Sequence, residues 1–220
     1  DAAYLHYTPN ETIRGVEFGY IPDAGDVPLV ADLSSTILSR PIDVSKFGLI
    51  YAGAQKNMGP AGVNLVVVNR NILGKTRRTI PTIMDYRNHI KEGSMLNTPP
   101  VFAVYVSMLT LQWLKAEGGV AVMEKRNEEK AKLLYDALDA NPLFTGNVQQ
   151  EDRSRMNVCF TINKPELEAE FLQFTKENEV VGIKGHRLAG GFRASLYNAL
   201  PLGSVEHLTA LMKAFAEKYA

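Results

Sequence analysis

Residues 31–62 read ADLSSTILSRPIDVSKFGLIYAGAQKNMGPAG and contain the pattern that decides the fold. Two short apolar runs, at 27–32 and 47–53, are bounded by turn-forming residues, which is typical of buried strands. A third run at 62–68 is rich in valine, whose branched side chain favours strands. Near-continuous apolar strands are characteristic of a sheet covered on both faces, so the stretch predicts an α/β fold.

The ends of two of these strands carry residues with possible chemistry. Asp32 ends the first strand, and the C-terminal ends of strands are where α/β folds bind ligands. Lys56 lies in a turn of small residues after the second strand, where a lysine is able to form a Schiff base with a carbonyl compound. Each residue alone is more often structural. Together with Gly59 and Gly62 they form a more specific combination, because a pyridoxal-phosphate enzyme needs an aspartate that keeps the pyridine nitrogen protonated.

Charge and composition exclude several other classes. The chain has 220 residues, with 24 basic and 24 acidic side chains, which gives no electrostatic argument for a nucleic-acid or membrane-surface partner. Its single cysteine, Cys159, permits neither an intrachain disulfide nor a CxxC zinc site, and the four histidines lack metal-ligand spacing. We therefore expect no metal site. No apolar stretch is long enough to span a membrane, so we expect a cytoplasmic protein.

The second half of the chain has a different order of predicted helices and strands. A helix is expected from Thr98, as N-cap before two prolines, to Glu117, with Tyr105 and Trp113 in helix packing. A second helix at 120–140 is followed by a strand, a helix, a strand and a last helix, an order typical of a small α+β domain. We therefore predict that residues 1–118 belong to a large domain and residues 119–220 form a small C-terminal domain, with helix 120–140 as the bridge.

The quoted stretch closely resembles the phosphoserine aminotransferase family, a class V family of the fold-type I pyridoxal-phosphate enzymes. Four further motifs carry the resemblance, HYTPNETI (6–13), GSMLNTPP (93–100), RSRMNV (153–158) and KGHRLAGGFRASLYNALP (184–201). The resemblance implies part of a large domain with a mainly parallel sheet, plus a small α+β domain. Because the family chain is longer at its N-terminus, and because this chain begins at Asp1 without Met, we expect these residues to be the C-terminal three-fifths.

The resemblance also implies roles toward the cofactor, pyridoxal 5′-phosphate. Lys56 would bind it covalently and shuttle a proton during catalysis, and Asp32 would pair with the pyridinium nitrogen. Thr12 would hydrogen-bond on the side of the phenolic oxygen. Gln55 would contact the phosphate group.

Further implied roles concern the substrate and the partner subunit. Asn97 and Thr98 would reach across a homodimer interface to the partner's cofactor phosphate, and a helix N-terminus at Thr98 suits an anion. Arg193 would clamp the substrate α-carboxylate with its bidentate fork, although on the residues alone a surface ion pair is the more common reading. His186 and Arg187 would bind the substrate phosphate.

The implied activity is the reversible transamination of 3-phosphohydroxypyruvate with glutamate, giving O-phosphoserine and 2-oxoglutarate, in serine and pyridoxine biosynthesis. The ligands would be these small molecules, with no nucleic acid and no membrane.

Three alternatives are weighed against this activity. Cysteine desulfurases of class V need a loop cysteine, whereas Cys159 lies within a predicted strand. Another class V aminotransferase, acting on alanine or serine with glyoxylate, would give His186 and Arg187 no anion to bind. The third alternative is a non-catalytic fragment that retains the dimer-forming half.

Overall fold

The computed structural model describes residues 2–219, so the outermost residues of the two predicted domains, 1 and 220, lie outside it. Two groups of secondary-structure elements follow one another along the chain. The strands are β1 (Leu5–Tyr7), β2 (Asn10–Glu11), β3 (Val16–Glu17), β4 (Leu29–Asp32), β5 (Leu49–Gly53), β6 (Asn64–Val68), β7 (Phe144–Gly146), β8 (Asn157–Ile162) and β9 (Phe192–Ser195). The α-helices are α1 (Tyr86–Lys91), α2 (Val101–Ala116), α3 (Val120–Ala140), α4 (Glu168–Glu177) and α5 (Leu202–Lys218).

The first sheet has the strand order β1-β4-β5-β6. The pairs β1–β4 and β4–β5 are parallel, and β6 runs antiparallel to β5 at the edge. This arrangement confirms the predicted α/β fold with a mainly parallel sheet. Because β4 and β5 are parallel neighbours, Asp32 at the C-terminal end of β4 and the turn around Lys56 after β5 lie at the same end of the sheet.

The two faces of this sheet are packed to different depths. Ala31, Ile50 and Ala52 are buried in a core that also contains Leu33 and Met58. On the opposite face, Val30, Leu49 and Tyr51 are half-buried, as the alternating burial along β4 and β5 shows. Within residues 2–219 this second face is only half-buried, so the prediction of a sheet covered on both faces stays a prediction.

The second half of the chain forms a separate core. The antiparallel sheet β7-β8-β9 packs with α3, α4 and α5 around aromatic side chains. Phe171 lies at its centre, with ring-centroid distances of 4.9 Å to Phe144, 5.1 Å to Phe192 and 5.0 Å to Phe215. The division of the chain into domains at 1–118 and 119–220, with α3 as the bridge, stays a prediction.

Helix α2 differs from its prediction in two respects. It begins at Val101 with Pro100 at the N-cap position and without a side-chain cap, so Thr98 lies outside the helix. Each residue before a proline is disfavoured in helical geometry, and two successive prolines therefore delay the start of the helix. Tyr105, predicted to pack inward, is 55% exposed, while Ala103 and Leu114 are the apolar side chains that α2 buries.

The part of the chain that the structure describes contains neither a membrane-spanning helix nor a metal-binding cluster of side chains. None of its helices combines the length and apolar character needed to cross a bilayer. Among residues 2–219 no group of three or more histidine, cysteine, aspartate or glutamate side chains is arranged to hold a metal ion.

Candidate active site

Lys56 occupies a tight turn after β5 and is half-buried. The amides of Met58 and Gly59 both donate to the carbonyl of Ala54, at 3.0 and 2.9 Å, which closes the turn around the lysine. The Lys56 Nζ donates to Thr12 Oγ1 at 2.9 Å. This geometry gives the amine a fixed direction, as a reacting group requires.

Burial shifts the protonation equilibrium of Lys56 toward the neutral amine. Burial is the largest effect and lowers the pKa of the Lys56 amine. The negative charges of Asp32 and Glu11 raise this pKa, whereas the positive charge of Arg193 lowers it. A neutral amine is the nucleophilic form of lysine, so the net lowering suits reaction with a carbonyl group.

Thr12 is the residue on which two cations converge. Its side-chain oxygen accepts from Lys56, and its backbone carbonyl accepts from Arg193 Nη1 at 3.3 Å. Thr12 lies in the turn between β2 and β3, which Gly15 closes with a φ of +80°. A side chain at Gly15 would lie 2.5 Å from the carbonyl oxygen of Asn157, so glycine permits this turn to pack on β8.

Asp32 is held at the end of β4 by Ser34. Its Oδ1 accepts from the Ser34 amide at 2.9 Å and from the Ser34 hydroxyl at 2.6 Å. The Ser34 hydroxyl in turn accepts from the Gly53 amide at 3.0 Å, which ties the end of β4 to the end of β5. The carboxylate is therefore oriented within the edge where the Lys56 turn begins.

Tyr51 adds an aromatic group beside this carboxylate. It is paired in register with Asp32, and burial, followed by the charge of Asp32, raises the pKa of its phenol. His6 Nε2 lies 3.1 Å from the Tyr51 hydroxyl.

The residues predicted to bind the phosphate group of the cofactor lie at the surface. Gln55 is exposed beside Lys56, while Asn97 and Thr98 are exposed ahead of α2, where Asn97 Nδ2 donates to the Thr98 carbonyl at 3.1 Å. Within residues 2–219, the structure does not bring Asn97 or Thr98 into hydrogen-bond contact with Lys56 or Asp32. Their predicted role lies at a partner subunit, and it stays a prediction.

His186 and Arg187 lie on a compact loop before β9. The Gly185 amide donates to the Gly191 carbonyl at 2.7 Å, and the Gly190 amide donates to the His186 carbonyl at 2.9 Å. A Cβ at Gly185 would lie 1.9 Å from the Gly190 carbonyl oxygen, so this closure requires glycine. His186 is half-buried with Nδ1 accepting from the Leu188 amide at 3.2 Å, and Arg187 is exposed.

Cys159 occupies the interior position that its sequence context predicts. It lies within β8, is 5% exposed, and burial raises the pKa of its thiol to about 11. A protonated, buried thiol is a poor nucleophile, so the structure gives no support to desulfurase chemistry at this residue.

The structure thus brings Thr12, Asp32, Lys56 and Arg193 together, and it adds residues that the sequence interpretation missed. Glu11, adjacent to Thr12, contributes a negative charge to the surroundings of Lys56. The signal in the sequence that could have identified Glu11 is its position next to Thr12, a predicted site residue. The further roles assigned to the site residues stay predictions.

Comparisons with known proteins show the family and the fold of this chain. The family described as Aminotransferase class-V matches residues 1–208. A phosphoserine aminotransferase from Flavobacterium johnsoniae is 56% identical over 99% of this chain and 61% of its own length. The solved structure of phosphoserine aminotransferase from Bacillus circulans subsp. alkalophilus superimposes with a TM-score of 0.96 at 44% identity, covering 100% of this chain and 61% of that one.

A second solved structure, PLP-bound phosphoserine aminotransferase from Trichomonas vaginalis, gives a TM-score of 0.92 at 42% identity and covers 97% of this chain and 61% of that one. This chain therefore spans about three-fifths of the length of these relatives. The match over residues 1–208 covers nearly the whole chain and includes every candidate site residue. The chain belongs to the class V aminotransferase family.

Proposed function

We propose that this chain carries the lysine-bearing part of a pyridoxal-phosphate-dependent phosphoserine aminotransferase. The activity would be reversible amino transfer between glutamate and 3-phosphohydroxypyruvate, in the cytoplasm, in serine and pyridoxine biosynthesis. The observation that supports this most directly is the Lys56 amine, half-buried with a lowered pKa and held by Thr12 beside Asp32. It occurs in a chain 56% identical to a phosphoserine aminotransferase.

The donor set of the site fits pyridoxal phosphate. Lys56 offers an amine for the aldehyde, Asp32 a carboxylate for the pyridine nitrogen, and Thr12 a hydroxyl for the phenolic side. Gln55, beside Lys56, offers an amide to the phosphate group, and Asn97 and Thr98 would do so at the partner's site. When bound, the cofactor supplies an electron sink for the electrons released as the substrate Cα–H bond breaks.

The chain's own residues then have separate tasks. Lys56 in its neutral form accepts the proton from the substrate Cα, and its lowered pKa keeps more of it neutral. Thr12 orients Nζ through the 2.9 Å hydrogen bond. Only one guanidinium nitrogen of Arg193 donates to the Thr12 carbonyl. The other N–H groups of the guanidinium are therefore available to bind the substrate carboxylate.

His186 and Arg187 would read the second anionic group of either substrate. Glutamate carries a carboxylate where the phosphorylated substrate carries a phosphate. Two adjacent side chains that are cationic or donate hydrogen bonds can bind either group. Arg187 is exposed, which leaves it free to meet a ligand.

We also propose a homodimer, formed through the apolar face of α2. Val101 and Phe102 are 70% and 76% exposed, and Tyr105, Met108 and Leu109 continue the exposed face along the helix. Apolar patches of this kind on a protein surface mark interaction sites. Asn97 and Thr98 directly precede this helix, as residues that reach a partner's site would have to.

The experiment is an absorbance spectrum of the purified chain with pyridoxal phosphate, before and after addition of phosphoserine. A visible cofactor band that phosphoserine bleaches, and that alanine does not, is the expected result. A band bleached equally by alanine would instead favour another class V aminotransferase.

The half-buried second face of the first sheet favours one other candidate for this chain in isolation. A fragment that pairs through α2 without turnover would keep the fold and the dimer but give no cofactor band. Folded protein with no band would therefore support the non-catalytic candidate.

A further inference from the structure

Three buried asparagines close the turn that follows Asp32. Asn57, Asn127 and Asn198 are 4%, 1% and 5% exposed. They come from three different parts of the chain, namely the Lys56 turn, helix α3 and the segment after β9. The side-chain amide of each donates to one of three consecutive carbonyls: Asn57 to Ile37 at 3.1 Å, Asn198 to Leu38 at 2.9 Å and Asn127 to Ser39 at 3.1 Å.

These carbonyls need partners because they end a short helical turn. The amides of Thr36 and Ile37 donate to the Leu33 carbonyl at 2.9 and 2.7 Å, as in the first turn of a helix. Leu38 then has a φ of +61°, a left-handed conformation that a leucine rarely adopts. Strained backbone of this kind persists where surrounding contacts fix it, and here the asparagine amides are those contacts.

The asparagines are also bonded to one another. Asn57 Oδ1 accepts from the backbone amide of Asn198 at 3.0 Å, and Asn198 Oδ1 accepts from Asn127 Nδ2 at 2.9 Å. We call these three residues the asparagine clamp. Because buried amides that lose a partner are costly, the clamp constrains each of its segments to one position.

The clamp joins the three segments that carry the chemistry. Asn57 directly follows Lys56, and Asn198 follows β9, which carries Arg193. The clamped turn directly follows Asp32. The side chains of the clamp are buried and their hydrogen bonds go to the protein, so they are placed to position reacting groups and not to touch a substrate.

We propose that Asn57 is a positioning residue for Lys56: through Ile37 and Asn198 it fixes the lysine turn relative to the segments that carry Asp32 and Arg193. The inference rests on the proposed function only for the role of Lys56. Asn57 acts by setting how deeply the Lys56 amine is held and how close it lies to the charges that face it, which are Asp32, Glu11 and Arg193.

The test measures the reactivity of Lys56 without any cofactor. Wild-type chain is reductively methylated with formaldehyde and cyanoborohydride at a series of pH values, and the rates at Lys56 and at exposed Lys213 are followed by peptide mass spectrometry. Wild-type Lys56 is expected to become reactive at a lower pH than an unperturbed lysine amine. In Asn57→Ala the midpoint for Lys56 should move up toward the unperturbed value, by an amount equal to at least about a threefold change in its neutral fraction.

Asn141→Ala is the matched control. Asn141 is half-buried, donates to the Met212 carbonyl at 3.3 Å and accepts from the Leu143 amide at 3.1 Å, but it lies beside the second core. Its variant should leave the Lys56 midpoint unchanged. If Asn57→Ala fails to fold, Asn57→Ser, which keeps a short polar side chain, takes its place in the same comparison.

The outcomes separate the positioning role from the proposed function. A Lys56 midpoint in the folded Asn57 variant equal to that of wild type would overturn the positioning role. Failure of wild-type Lys56 to capture pyridoxal phosphate would overturn the proposed function, and it would leave the measured effect of Asn57 intact.

Discussion

Lys56 is the residue on which the account depends most. The chain places its amine between the hydroxyl of Thr12 and the charges of Asp32, Glu11 and Arg193, in a half-buried position. None of these neighbours is adjacent to Lys56 in sequence, so the fold itself brings them together and creates the burial that lowers the pKa of the amine.

Replacement of this lysine gives the first prediction. Lys56→Ala should lose turnover by at least about a thousandfold, because Lys56 is the group proposed to move the Cα proton. It should retain noncovalent affinity for pyridoxal phosphate, since Asp32 and Thr12 remain. Steady-state kinetics and equilibrium dialysis on the same preparation measure the two properties, and substantial residual turnover would show that another group carries the proton.

Lys130 is a second lysine with an unusual environment, outside the site. It is 2% exposed, and its Nζ donates to the carbonyls of Leu196 and Tyr197, both at 2.9 Å. Burial, and then the charge of Arg126, lowers the pKa of Lys130 from 10.5 to about 8. A neutral amine has two N–H groups, which matches the two carbonyl acceptors.

This lowering predicts a pH-dependent stability. Between about pH 8 and 10.5 the unfolded chain binds more protons at Lys130 than the folded chain, so its contribution to the free energy of unfolding rises with pH. The stability of wild type relative to Lys130→Met should therefore rise across this range, by on the order of 1–3 kcal/mol. Urea unfolding of both proteins at pH 7.5 and pH 10 measures this difference. A difference that does not change with pH would mean that Lys130 titrates normally.

Arg187 gives a prediction about specificity. If it reads the phosphate of the substrate, Arg187→Ala should raise the KM for phosphoserine by about tenfold and the KM for glutamate by less, because a dianionic phosphate interacts more strongly with a guanidinium. Lys213→Ala, which removes an exposed cation elsewhere, should change neither value. Equal losses for both substrates would refute a phosphate-specific role for Arg187.

At the scale of elements, α2 is the feature with the least internal explanation. It buries Ala103 and Leu114 against its own chain, while large apolar side chains such as Phe102 and Tyr105 remain exposed. A helix that is apolar on its outer face is stable in solution when a partner covers that face.

The dimer proposal therefore predicts a change of mass on substitution. Phe102→Glu should convert a dimer into a monomer, because it places a charge in the proposed interface. Gln149→Glu, at an exposed position between β7 and β8 and outside α2, is the control and should remain dimeric. Sedimentation equilibrium measures the mass, and far-UV circular dichroism verifies folding. A Phe102→Glu variant that stays dimeric would place the interface elsewhere.

At the scale of the whole molecule, local sequence patterns account for the elements better than for their packing. Apolar runs located the strands that end near Asp32 and Lys56, and the bounds of α3 were predicted residue for residue. The pattern of α2 was helical, but it did not show which face lies inward, because that depends on what packs against the helix. The proline pair moved its start away from Thr98.

The candidate site was predictable in part for the same reason. Lys56 and Asp32 follow apolar runs, which is a local signal, and the family resemblance supplied Thr12 and Arg193. Asn57 was missed because its partners are the amide of Asn198, 141 residues away, and the carbonyl of Ile37, 20 residues away. Such contacts form only when the two cores come together, and no spacing in the sequence indicates them.

The most direct test of the central claim is to find where the chain binds its cofactor. The purified chain is incubated with pyridoxal phosphate, reduced with borohydride, digested and mapped by mass spectrometry. The account predicts a pyridoxyl group on Lys56 at stoichiometric cofactor, with the other lysines unlabelled. Label spread over exposed lysines with none on Lys56, in a chain shown to be folded, would contradict it.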